Sequence, residues 1–365
     1  MSREEEILMF DFDLFSDAEH KELGNDLIKY KKKVGGLLRE SRMDAKGNTC
    51  YDCGKLCSSF CNSHSLPAFC LKNIAVNGDV YYSNVLVNLP ILETEKGVGN
   101  AGTFQLICRE CDSTIFQNYE NPDNYNLSIT PVMIAQIAMK NYLKNLSKRF
   151  FEKSLYDNMG RQLQLPSQWH DEKQNITELD IVEYQKGFLK AKRVSRKGWS
   201  NEYYLFFYQE LNYVVPIAFQ DCVTMVFDLE GNVINDIYNQ SPDYHTQELH
   251  ICVFPLKDSS VVFMFIDSDS KLYKNFYKQF GKLSFEDKLA TINHIIFTYS
   301  EDVFMSKNLA DSIINNENLI RASRKSADIL SSTAEFDPLE QARDSFDLSS
   351  RNELPNLLSD KYKVR

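Results

Sequence analysis

The chain has 365 residues, with 43% hydrophobic residue types and 24 Phe plus 19 Tyr, enough to build two or three domains with apolar cores. Its 41 basic and 51 acidic residues give a formal charge of -10, which disfavours non-specific binding to polyanions. No run of about 18 apolar residues is present, and the start Met-Ser-Arg-Glu-Glu-Glu has neither the basic nor the apolar region of a signal peptide. The expectation is a cytoplasmic protein without a membrane span, and its nine cysteines, an odd number, do not suggest a disulfide framework.

Residues 1–45 read as an N-terminal lead-in, mobile or briefly helical, with the basic cluster Lys29-Tyr-Lys-Lys-Lys33 as a solvated face or a first contact for phosphates. Residues 46–127 hold the cysteine pairs Cys50-x-x-Cys53 and Cys108-x-x-Cys111. Each pair puts two thiols on one tight turn, and four thiolates satisfy tetrahedral Zn²⁺, so the four cysteines are expected to form a structural zinc site. Between the pairs, Asn77-Gly78 predicts a hairpin turn into a strand, since both residues tolerate positive φ. Gly97 to Gly102 predicts a loop before the short apolar strand Thr103 to Ile107, and Asp112-Ser-Thr is expected to cap a helix running through Phe116 and Tyr119. The order knuckle, hairpin, second knuckle, helix is that of a treble clef.

Residues 128–200 read as a helical connector, in which Ile134, Ile137, Ala138, Leu143 and Leu146 form one stripe behind Pro131 at a first-turn position. The polar segment Gln164 to Asn175, with Pro166 and His170, predicts a loop, and Glu178 to Lys192 a further helix. Residues 201–330 form an α+β region. Apolar runs at 203–208, 213–219, 223–227, 249–254 and 261–266 predict an antiparallel sheet of five or six strands, and helices are expected over 272–280, 285–299 and 302–320. Residues 331–365, rich in Ser, Asp and Glu, read as a weakly ordered tail, in which Leu354-Pro-Asn-Leu-Leu could dock on a partner or on the body. The fold class is thus α+β: an N-terminal zinc treble-clef region, a helical connector and a C-terminal antiparallel sheet packed with helices.

The residues Cys50-x-x-Cys53, Ser63-His64-Ser-Leu-Pro67 and Cys108-x-x-Cys111-Asp112 together resemble the zinc-stapled form of the HNH endonuclease family, over about 70 residues from Cys50 to Glu120. The resemblance implies that His64 is the general base that activates water, that Asp112 stands where the family places a histidine ligand of the catalytic metal, and that Asn100 is the counterpart of the family asparagine. It further implies catalytic Mg²⁺ or Mn²⁺, cleavage of DNA or RNA, and a setting such as phage defence. The residue before the base, often acidic or histidine in the family, is Ser63 here.

Other readings stand beside it. Cys57, Cys61 and His64, with Cys70, have the spacing of a second zinc set, and Asp112 serves equally as a helix cap. In that alternative the chain is a non-catalytic, zinc-stabilised interaction or scaffold protein that meets a protein partner through its C-terminal region. No phosphate-binding Gly-x-x-x-x-Gly-Lys loop, dinucleotide fingerprint or Gly-x-Ser-x-Gly elbow occurs. His245 and His250 read as surface and sheet residues, Cys222 and Cys252 as buried thiols, and Asp267-Ser-Asp269 as a turn.

Overall fold

The computed structural model describes residues 27–83, 96–163, 167–239, 241, 243–300, 302–328 and 338–365. The strands are β1 (Ser63–His64), β2 (Asp79–Ser83), β3 (Lys96–Gly97), β4 (Thr103–Phe104), β5 (Tyr203–Leu211), β6 (Ile217–Val223), β7 (Leu249–Pro255), β8 (Ser260–Asp267) and β9 (Val303–Met305). The helices are α1 (Leu27–Asp44), α2 (Ala68–Ile74), α3 (Arg109–Ile115), α4 (Gln117–Glu120), α5 (Pro131–Leu163), α6 (Ser167–Lys197), α7 (Lys274–Gly281), α8 (Phe285–Tyr299), α9 (Asp311–Ile314), α10 (Glu317–Asp328) and α11 (Pro338–Phe346). No described helix is long and apolar enough to cross a membrane.

A seven-stranded antiparallel sheet in the order β3-β2-β9-β6-β7-β8-β5 forms the middle layer. Successive side chains of a strand point to opposite faces, and the two cores divide accordingly. On β7 and β8, Cys252, Phe254, Phe263 and Phe265 enter one core, while Ile251, Val253, Val262 and Met264 enter the other. Both faces are covered, which is why these strands read as continuous apolar runs rather than alternating ones. The first core also takes Leu66, Leu71 and Phe116 from the cysteine region, Ile137, Ala138 and Leu143 from α5, and Phe188 from α6. The stretches 46–127, 128–200 and 201–330 therefore all contribute to a single core on this face. The second core is closed by Phe276 and Phe280 of α7 and Ile292 and Ile295 of α8, together with the C-terminal Leu357 and Leu358.

The hairpin turn at Asn77 (φ 54) and Gly78 (φ 86) forms as the sequence suggests and leads into β2. Four differences from the sequence reading have physical reasons. The run 223–227 is not a strand beyond Val223, because Asn235 takes the Met225 carbonyl and the Asp228 carboxylate caps a tight turn through the Glu230 and Asn232 amides. In its place β2 and β9 lie within the sheet; the Val303-Phe304-Met305 stretch, expected as helix, pairs with β2 on one side and β6 on the other. The polar segment 167–175 is helical, because its polar side chains meet α5: His170 Nε2 lies 2.9 Å from Asp157, and Gln174 donates to Asp157 and to the Lys153 carbonyl.

The fourth difference is the tail. Residues 331–337 fall outside the described residues, but from Pro338 onward the chain packs against the body. Leu357 and Leu358 are fully buried, Asn293 holds the Pro355 carbonyl and the Leu357 amide, and Val214 exchanges backbone hydrogen bonds with Val364 and Arg365. The stretch Leu354-Pro-Asn-Leu-Leu358 is thus the anchor that docks this segment on the body. Replacing Leu357 by alanine should cost about 2–5 kcal/mol, as for other fully buried leucines. Urea unfolding monitored by circular dichroism checks this, and a change under about 0.5 kcal/mol, typical of an exposed site, would show that the segment does not contribute to the core.

Candidate metal centre

The first cysteine pair sits on a turn. Cys50 N donates to the Lys55 carbonyl and Gly54 N to the Cys50 carbonyl (2.8 Å), closing a loop in which Gly54 holds φ +71, a conformation that glycine adopts without steric cost. The second pair opens α3: Cys108 is the N-cap, and its sulfur accepts from Cys111 N at 3.5 Å. Asp112 is therefore inside the first helical turn and not the cap that the sequence suggested. A further amide, Cys108 N, donates to Cys50 Sγ at 3.3 Å and ties the two pairs together.

These contacts bring Cys50, Cys53, Cys108 and Cys111 within 4.8 Å of one another, the one group of three or more metal-ligating side chains assembled among the described residues. Four sulfurs at a Zn–S distance of about 2.3 Å lie about 3.8 Å apart, so this donor set fits zinc with small adjustments. Burial pushes the Cys50 thiol up, but the backbone amides of Cys53 and Cys108 outweigh it and lower it to about 7, so this sulfur carries thiolate character readily. Burial and its neighbouring sulfurs push the Cys111 thiol up.

The knuckle is fastened to the helical layer by the residue between its cysteines. Asp52, its side chain only 3% exposed, pairs with Lys192 Nζ at 2.9 Å and with Arg196 at 3.5 Å, both on α6. Lys192 also donates to the Asp52 carbonyl, and Tyr51 packs edge-on against Phe188. Nothing local marked Asp52 in the sequence; its partners on α6 lie 140 and 144 residues away.

The residues that the HNH resemblance assigns to chemistry hold other partners. Asp112 pairs with Lys140 Nζ at 3.0 Å, accepts from the Ser63 hydroxyl at 2.5 Å, and accepts from Cys61 Sγ at 3.4 Å. Burial would raise its carboxyl, but the Lys140 charge and the Ser63 hydroxyl hold it below the usual carboxylate range. Lys140 is fully buried, also meets Glu120 at 3.1 Å, and lies 3.7 Å from the Phe116 ring centroid. His64, the next residue on β1, projects to the opposite side from Ser63, where Nε2 lies 3.0 Å from the Val98 carbonyl. Asn100 is exposed on the loop after β3. Ser63 and Asp112 thus come together, whereas His64 and Asn100 engage neither of them through a hydrogen bond.

The alternative ligands do not assemble. Cys57 donates to the Lys55 carbonyl, Cys61 faces Asp112, and Cys70 is buried in the core. His250, expected in the sheet, is there but fully buried: its ring stacks on Phe265 and hydrogen-bonds Asn141 and Tyr142, and burial lowers it to about 3. Cys222 and Cys252 are buried thiols. Compared with protein-family models, with curated proteins and with solved structures, the chain finds no match.

Proposed function

We propose that this chain is a non-catalytic, zinc-stapled interaction protein, in which a four-cysteine site of treble-clef type holds the segment 46–127 against the helical layer. The observation that carries the proposal is the Lys140 ammonium on the Asp112 carboxylate, with the Ser63 hydroxyl on the same oxygen. A divalent cation at Asp112 would face a buried like charge about 3 Å behind its ligand, a repulsion that the interior screens poorly. Of the other candidates, His64 holds the Val98 carbonyl through Nε2 on the side of β1 away from Asp112, and Asn100 is exposed on the loop after β3. Catalytic Mg²⁺ or Mn²⁺ and cleavage of DNA or RNA form no part of this reading. A protein partner would meet the edge strand β5, where Tyr204 and Tyr208 are exposed.

The test is a nuclease assay on single- and double-stranded DNA and RNA with Mg²⁺ or Mn²⁺, run beside His64→Ala and Asp112→Asn. No cleavage by any of the three proteins is expected. Cleavage by the wild type that both substitutions abolish, with zinc content unchanged, would establish the HNH-like reading instead.

A further inference from the structure

Helix α6 turns one face to the body and the other to solvent. Ile181, Phe188, Ala191 and Val194 are buried on the inner face. The exposed residues recur every three or four positions from Asp171 to Lys197, so they form one stripe along the helix. Along it the chemistry changes in order: Glu178 lies in the N-terminal half, Val182 and Leu189 (46% and 55% exposed) in the middle, and Arg193 and Arg196 in the C-terminal half.

A twofold axis crossing α6 at right angles between residues 185 and 186 relates each position to one equally far on the other side. It sets Val182 against Leu189 of the second copy, Glu178 against Arg193 of the second copy, and Asn175 against Arg196 of the second copy. Apolar side chains then meet at the centre and opposite charges outside them, in an antiparallel helix pair of isologous type. Lys186 stands nearest the axis, where its long stem lets the ammonium groups of both copies turn into solvent. Within the chain Glu178 also meets Lys153, and Arg196 meets Asp52 at 3.5 Å, yet their side chains stay 53% and 63% exposed and open to a further partner. The dipole of a single helix also favours acid at its start and base at its end. It assigns no place, however, to exposed apolar side chains, which here fall on the two positions that the axis relates.

We propose that the outer stripe of α6 is the contact surface for a second copy of this chain, packed antiparallel from Asn175 to Arg196. The match between the stripe and its own reversed copy singles out this occupant, because an unrelated partner needs no such symmetry. The contact is small, below about 1,200 Å², and belongs to the weak, reversible class of interfaces. The inference is independent of the zinc site and of the edge strand β5.

Sedimentation velocity of the zinc-loaded full chain at about 5 to 500 μM tests it, a range suited to weak homodimers. The wild type should pass from monomer to dimer as its concentration rises. Arg193→Glu and Glu178→Arg should each raise the dissociation constant at least about tenfold, because each brings like charges together twice per dimer. An equimolar mixture of these two variants should restore the dimer, since opposite charges then face each other at both contacts. Leu189→Asp, which leaves the charge pairs in place, should also weaken the dimer at least about tenfold, and it carries the test if either charge variant does not fold. A wild type that stays monomeric throughout, a dimer that the folded variants leave unchanged, or a mixture no more dimeric than its components would overturn the proposal.

Discussion

Cys108→Ser should lose the metal and unfold far below the wild-type melting temperature. A structural four-ligand zinc site contributes about 10–16 kcal/mol of binding energy in small peptides, as much as the whole net stability of a typical domain, about 5–15 kcal/mol. Loss of even a third of that exceeds most single core substitutions. Cys108 has a second task as the N-cap of α3, where its sulfur accepts from Cys111 N. The damage should not stay local, because Cys50 and Cys111 belong to the same core as Phe254 and Phe263 of the sheet. Metal analysis and thermal melting of the purified variant check this. A variant that melts within a few degrees of the wild type would show that the cysteines are packing residues and no more.

The second large effect is expected at Lys144→Met. Lys144 lies between Asp221 and Asp302, all three nearly excluded from solvent, with Ser300 donating to Asp221 and Tyr82 to Asp302. Removing the ammonium leaves two buried carboxylates without their cation, which costs about 3–5 kcal/mol. Adding Asp302→Asn to the variant removes one of those charges and should recover part of the loss, a coupling that a double-mutant cycle in urea measures. Additive effects would rule out the triad as a unit.

The same triad sets a pH window. Burial opposes the charged form of Asp302, but Lys144 and Lys148 hold its carboxyl well below the ordinary value; its contribution is present above about pH 4 and lost as pH falls through the depressed folded value. Burial likewise opposes the Lys144 charge, and Asp221 and Asp302 raise it above the ordinary value; its contribution is present below about pH 10 and lost as pH rises through the raised folded value. The penalty of Lys144→Met should therefore shrink as the solution is acidified and the orphaned carboxylates take up protons.

The cysteine cluster was legible because its information is local: two thiols per turn, at a spacing that only a few turn geometries satisfy. The Asn77-Gly78 hairpin and the helix of 285–299 were legible for the same reason, each carrying its own turn or cap chemistry. What the sequence did not disclose depends on distant partners. The three residues of β9 are too short to display a period, and only β2 and β6 on either side make them a strand. Lys140 and Lys144 look like solvated helix residues until Asp112, Glu120, Asp221 and Asp302 are seen around them. The HNH-like pattern preserved residue types at suitable spacings, but side-chain alternation on β1 sends Ser63, not His64, to Asp112.

The central claim is that Cys50, Cys53, Cys108 and Cys111 together hold one zinc ion, and X-ray absorption at the zinc edge of the purified protein tests it most directly. One zinc per chain with four sulfur neighbours at about 2.3 Å is the result expected. Folded protein without zinc, or a zinc shell containing nitrogen or oxygen in place of a sulfur, would contradict it.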